Sequence, residues 1–149
     1  MINGLPKKNS KECADQMLFK KLSRVKHTRE DGWLSELVSM NYDDEPFNCI
    51  HTYLVSVNPG KVRANHYHKN KEEWIAPASG KIELHLKNVI SGEKEKLILD
   101  THTKEYEMIY IPPFVAHAVK NNWEHEASLM VFSKNPEDKE DTVPYEVTI

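Results

Sequence analysis

Cysteine is scarce. Cys13 and Cys49 are the only two in 149 residues, far apart and without metal-type spacing. A disulfide framework and a cysteine-based zinc module are excluded, and both thiols read as reduced. An excess of charge of one sign is also missing. Twenty Lys and Arg stand against 23 Asp and Glu, for a formal net charge of -3 spread over the whole chain. That argues against a nucleic-acid binder, which carries a basic patch. Long apolar runs are absent too, and none approaches the ~20 residues of a membrane span. The start, MINGLPKKNSKECADQ, has no apolar signal core. The expectation is a cytoplasmic protein with no membrane partner. Helical periodicity is lacking as well: outside the N-terminal arm no run holds a 3.6-residue period over three turns. There is no internal repeat, no low-complexity segment and no linker.

What remains is a series of short strand-like runs separated by turn signals. Residues 1–20 read as a polar arm in which only Met17, Leu18 and Phe19 can pack, and 21–149 read as one domain. Strands are expected over Trp33–Val38, His51–Val57, Val62–His68, Glu73–Ala78, Lys81–Leu86, Lys96–Leu99, Glu107–Ile111, Ala116–Val119 and Ala127–Phe132, with a further ordered stretch at Tyr145–Val147. In Lys81–Leu86 the alternation puts Ile82, Leu84 and Leu86 on one face and His85 on the polar face, where solvent would reach it. About ten short strands at this spacing mean an all-β sandwich or barrel.

Two clusters carry chemistry. Gly60 to Gly80 reads GKVRANHYHKNKEEWIAPASG. His66 and His68 are two apart, so on a strand both imidazoles point to one face. A carboxylate after the short turn supplies a third ligand; Glu73 is the candidate and Glu72 its competitor. Imidazole with carboxylate suits Zn, Fe, Mn or Ni. The second cluster is IPPFVAHAVKN, residues 111–121. Pro112 and Pro113 stop one strand, and His117 follows between Ala116 and Ala118, small neighbours that leave room for an inward imidazole. Taken alone, the His-x-His pair also fits exposed histidines, and His117 also fits a satisfied core histidine.

Together the two segments resemble the paired signatures of the cupin superfamily. Gly60, His66, His68, Glu73 and Gly80 fit the first without a mismatch, and Gly80 favours Glu73 over Glu72. Pro112, His117 and Asn121 fit the second, with Phe114 in place of its glycine. The resemblance implies a cupin double-stranded β-helix, a jelly-roll barrel, and a divalent metal held by His66, His68, Glu73 and His117.

A narrower resemblance is to sugar-nucleotide cupins. These are dTDP-4-dehydrorhamnose 3,5-epimerases, dTDP-4-keto-6-deoxyhexose 3,4-ketoisomerases and the C-terminal cupins of capsular-polysaccharide reductases. It rests on Val62 to Lys69, on Ile111-Pro112-Pro113 with Ala116-His117, on Phe47 after Pro46, and on the Asp-Thr-Val-Pro-Tyr run near the end. Ala64 stands where many members carry Gly. The resemblance implies an epimerase or ketoisomerase acting on a 4-keto nucleotide sugar for surface-polysaccharide synthesis. His66 matches the catalytic base and His68 the second histidine; Arg63 would hold the diphosphate, and Tyr67 and Trp74 would line the substrate pocket. A homodimer is also implied. His66 cannot serve easily as both ligand and free base, so a metal version and a metal-free version stand side by side, the intact Glu73 favouring the first. The alternatives in function are a metal-dependent cupin of another class, such as a dioxygenase, and a non-catalytic ligand-binding cupin. Arg63 has the opposite strand parity to His66 and His68, so a strand irregularity is needed to turn all three inward.

Overall fold

A computed structural model describes residues 17–39 and 51–147. Cys13, Cys49, Pro46, Phe47 and most of the arm lie outside the described residues. Twelve strands are formed: β1 Lys20–Arg24, β2 His27–Arg29, β3 Gly32–Leu34, β4 His51–Val57, β5 Val62–His68, β6 Glu73–Ser79, β7 Lys81–Asn88, β8 Lys94–Asp100, β9 Tyr106–Ile111, β10 Val115–Lys120, β11 Ala127–Ser133 and β12 Thr142–Pro144. The single helical element among the described residues is a 3-10 turn, Lys139–Asp141.

Two five-stranded antiparallel sheets enclose the core. One has the order β1-β9-β6-β11-β4 and the other β12-β5-β10-β7-β8, while β2 and β3 form a separate hairpin. This is the cupin jelly roll. The inward positions supply Ile75, Ile109 and Leu129 from the first sheet and Ile82, Leu84, Leu86, Leu99 and Val119 from the second. These side chains merge into one cluster because each strand turns alternate residues inward.

Strands β4 and β5 have the expected bounds, and the other long strands are extended by one to three residues. No strand is expected at His27–Arg29, where β2 forms, and three further segments depart from expectation. Lys20–Arg24 is a strand paired with β9, with Lys20 opposite Tyr110 and Arg24 opposite Tyr106. Its apolar content is low because only Leu22 and the stem of Arg24 are buried. Leu18, just before it, is in the core at 6% exposure. The expected strand from Trp33 ends at Leu34, since it pairs only with the three residues of β2. The last strand falls on Thr142–Pro144, where it pairs with β5, not on Tyr145–Val147.

His85 is fully buried, which overturns its expected solvent exposure. The outer face of its sheet is not bare. Ala116, Ala118 and Val147 form a small apolar cluster there, with Tyr67, Val89 and Tyr145 packed against it. His85 sits in register with Ala118 and holds Glu83 Oε2 at 3.0 Å through Nε2.

The two signature turns explain their composition. Gly80 has φ 70°, and a Cβ there would meet the Ala127 backbone at 3.2 Å. Phe114, in the place of the signature glycine, has φ 63°. Asn121 is buried and donates from Nδ2 to the carbonyls of Val57 (2.9 Å) and His125 (2.7 Å), tying the end of β10 to β4.

Candidate functional site

Strand β5 is not regular. Ala64 has φ 69° and Asn65 has φ 55°. The pairing with β10 shifts there, so that His117 faces His66 while Ala118 faces Ala64. One extra residue in β5 is a β-bulge, which inverts the parity of the residues before it. Arg63 is thereby brought to the same side as His66 and His68. Asn65 tolerates the left-handed conformation and is anchored: its Oδ1 accepts from the Val147 N–H at 3.1 Å, and its carbonyl accepts from the Tyr145 N–H at 2.9 Å.

The inner face of the barrel gathers the expected ligands. One nitrogen from each of His66, His68 and His117 lies within 4.8 Å of the others. His66 stacks edge-on against His117, with ring centroids 4.8 Å apart. Glu73, at 2% exposure, comes from the neighbouring sheet. Its Oε1 is 3.1 Å from His68 Nε2, and its Oε2 is 3.3 Å from His117 Nε2. Glu72, the competitor, points elsewhere: it accepts from the Tyr110 hydroxyl at 2.7 Å and pairs with Lys134.

The tautomers follow from the partners. His117 Nδ1 lies 3.1 Å from the Val115 carbonyl, which can only accept. Nδ1 therefore carries a proton, and Nε2 faces the Glu73 carboxylate. His68 Nδ1 meets the Thr142 hydroxyl at 3.2 Å and Asp141 Oδ2 at 3.8 Å. His68 Nε2 is buried and, despite its proximity to Glu73, lies off the direction a hydrogen bond needs. The Nε2 atoms of His68 and His117 and the Glu73 carboxylate face one another, an arrangement that takes a shared positive centre, a proton or an ion. The donor set, three imidazoles and one carboxylate, fits a divalent ion such as zinc.

Burial lowers the His66 imidazole to about 4, and neighbouring His117 and His68 push it the same way. His66 is therefore neutral at physiological pH. Burial alone would raise the Glu73 carboxyl. His117 and His68 beside its two oxygens outweigh that and hold it well below the usual carboxylate range. Burial raises the Tyr53 phenol, with the charge of Glu73 adding to the effect, so Tyr53 stays a neutral donor, 3.5 Å from Glu73 Oε1.

A cavity of about 150 Å³ opens onto this cluster, with Arg63, His66, Glu73 and His117 at the polar end and Val55, Ile75, Val119, Leu129 and Val131 at the apolar end. A larger, open hollow of about 550 Å³ runs along the β2–β3 hairpin beside Trp33. It holds no comparable cluster of ligating groups, so the chemistry belongs to the smaller cavity.

Tyr67 and Trp74, expected to line the pocket, do not. Tyr67 falls between His66 and His68, so strand parity turns it outward against Phe114 and Tyr145. Trp74 follows Glu73 and for the same reason packs on the outer face with Leu22, Ala76, Tyr106 and Met108. Four residues were missed. Tyr53 shares its parity with inward Val55 and Val57, a signal that was legible. Lys71, at 5% exposure, places Nζ 3.3 Å from Glu73 Oε1, and its two-residue spacing from Glu73 was the available clue. Asp141 and Thr142 come from the far end of the chain, and no local pattern points to them. Asp141 accepts from the Asn70 N–H (2.8 Å) and the Lys71 N–H (3.0 Å), clamping the turn between His68 and Glu73.

Among the described residues no helix is long and apolar enough to cross a membrane. No curated protein matches the sequence. Among solved structures, the fold is similar to QdtA, a sugar 3,4-ketoisomerase from Thermoanaerobacterium thermosaccharolyticum in complex with TDP. The identity is 20%, over 85% of this chain and 87% of that one, with a TM-score of 0.71. It is also similar to the dTDP-6-deoxy-D-glucose-3,5-epimerase RmlC of Legionella pneumophila, at 13% identity over 87% and 73% of the two chains, TM-score 0.75. The capsular polysaccharide assembling protein CapF of Staphylococcus aureus matches at 20% identity over 83% of this chain and 33% of that one, TM-score 0.61. At these identities the likeness establishes the fold. The sequence profile of the polysaccharide biosynthesis C-terminal domain matches residues 27–143, well over half of the chain. With its jelly roll and its inward histidines, the chain belongs to the polysaccharide biosynthesis C-terminal domain family.

Proposed function

We propose that the protein is an isomerase of 4-keto nucleotide sugars, a 3,4-ketoisomerase or 3,5-epimerase, serving polysaccharide synthesis. The observation that carries the reading is the β5 bulge, which turns Arg63 toward the cavity that His66, Glu73 and His117 line, with His68 beside them. The cavity is smaller than the ~300–1,000 Å³ of sites that enclose drug-sized ligands. Only the sugar end of a nucleotide sugar enters, and the diphosphate lies at the mouth by Arg63, which is exposed and positioned to bind it by charge-assisted hydrogen bonds.

The carbonyl at C4 acidifies the proton at C3 or C5. His66 is the base. It is neutral at working pH and borders the cavity, while His68 and His117 are paired with Glu73. Proton return to the same carbon from the other face gives epimerisation; return at C4 after C3 abstraction, with the O3 hydroxyl proton passing to O4 of the enediolate, moves the keto group to C3. His68, Glu73 and His117 would hold a divalent ion, completed by His66 when no substrate engages it. When bound, such an ion supplies Lewis-acid polarisation of the keto oxygen. Val115 and Thr142 fix the orientation of His117 and His68.

The reading also makes the working unit a cytoplasmic homodimer, since Trp33, Leu34 and Leu54 leave large apolar side chains exposed. Light scattering that returns the 17.3 kDa monomer mass would remove the dimer. The activity is tested by incubation with TDP-4-keto-6-deoxyglucose, the ligand of a QdtA variant of similar fold, and NMR of the sugar. A product with the keto group at C3, or inverted at C3 or C5, is expected. Unchanged sugar across a panel of 4-keto nucleotide sugars would refute the reading.

A further inference from the structure

Lys71 is a buried cation beside the ligand carboxylate. Its Nζ lies 3.3 Å from Glu73 Oε1 and 3.2 Å from Glu137 Oε2. The residue is 5% exposed, and the Nζ lies 5.5 Å from the centre of the Tyr53 ring. Its backbone N–H is held by Asp141, which fixes where the side chain starts, and its burial limits where the ammonium can go. Glu137, its outer partner, is 54% exposed at the side chain. The inner half of this arrangement is therefore the better insulated, and Coulomb forces there are least screened.

A buried carboxylate needs a countercharge. Glu73 has two claimants: the ammonium at Oε1, and whatever positive centre sits between the His68 and His117 Nε2 atoms. A divalent ion bound to Glu73 would lie within a few ångströms of Lys71 and be repelled by it. We infer that Lys71 is a resident competitor that sets the ion affinity of the cluster. Its ammonium holds Glu73 Oε1 in place without an ion and weakens the hold on one that binds. The inference rests on the proposed use of His68, Glu73 and His117 as an ion site, and is independent of the sugar chemistry.

The test uses the full chain, stripped with a chelator, and Zn²⁺ titrated against a chromophoric competitor. Lys71→Met removes the charge; Lys71→Gln removes it but keeps a polar contact, and so serves if the Met variant does not fold. Both are expected to bind Zn²⁺ tighter than the unaltered protein by about tenfold or more, the scale of a like charge within ~4–6 Å. Lys71→Arg, which keeps the charge, should bind as the unaltered protein does. A Co²⁺ absorption spectrum lost in His117→Ala assigns the binding to this cluster. Equal or weaker binding in the neutral variants overturns the inference while leaving the ion site standing. So does a gain in Lys71→Arg equal to that in Lys71→Met. Binding by none of the proteins removes the ion site itself, and the inference with it.

Discussion

Ala64→Gly should stabilise the protein, because Ala64 holds the bulge that aligns the site at a steric cost. Its φ of 69° lies in the left-handed region, where a Cβ crowds the following carbonyl by roughly 1–2 kcal/mol. Glycine has no such clash, but it loses roughly 0.5–1 kcal/mol more chain entropy on folding. Ala64 is exposed, so removing its methyl group forfeits little burial. The balance is a gain of about 0.5–1 kcal/mol. At ~2.1 cal/mol/K of unfolding entropy per residue, a chain of 149 residues has a slope near ~3 °C per kcal/mol. The expected rise in Tm is about 2–3 °C. Ala64→Val should fall the other way, since a β-branched residue tolerates positive φ least. Thermal and urea unfolding of the three proteins measure this. A fall in stability for Ala64→Gly together with no loss for Ala64→Val would mean that the bulge is not held as described.

Three further outcomes are expected. His85→Ala should destabilise by about 2 kcal/mol or more in urea titration, because it opens a void in a fully buried position and removes the contact to Glu83; an unchanged midpoint would return His85 to the surface. Stability in the presence of chelator should fall between pH 6.5 and about 4, since His66 is held at about 4 when folded and protonates nearer its ordinary 6.5 when unfolded. The unfolded state binds more protons in that window, so stability is full above it and declines as pH drops. His66→Gln should flatten the slope, and an identical slope in that variant would deny His66 the role. Asp141→Asn and Thr142→Val should each lower turnover through His68 rather than through substrate affinity, seen as a fall in kcat with KM little changed.

The sheets were legible because inner and outer residues alternate cleanly, as in β4 and β7. Lys20–Arg24 escaped because it offers only two buried side chains, and its strand character comes from pairing with β9. His66 and His68 were legible as a pair from their spacing, and Glu73 and His117 joined them through the resemblance to the cupin signatures. The bulge was legible as a need, since Arg63 could not otherwise share their face, but its location at Ala64 and Asn65 depends on where β10 and the C-terminal segment grip the strand. Tyr67 and Trp74 were misplaced for a simple reason. Aromatic character near a site was given more weight than the two-residue period, which puts both outside. Lys71, Asp141 and Thr142 act through contacts between distant segments, and no one-dimensional pattern records those.

The central claim is that His66 moves a carbon-bound proton of a 4-keto sugar inside this cavity. It is tested most directly by incubating TDP-4-keto-6-deoxyglucose with the protein in heavy water and locating deuterium by NMR. Incorporation at C3 or C5, or at C4 of a 3-keto product, is predicted for the unaltered chain, and none for His66→Ala, with the fold and the Zn²⁺ content of the variant intact. Deuterium entering at the same rate with His66→Ala, or never entering with the unaltered protein, would contradict the account.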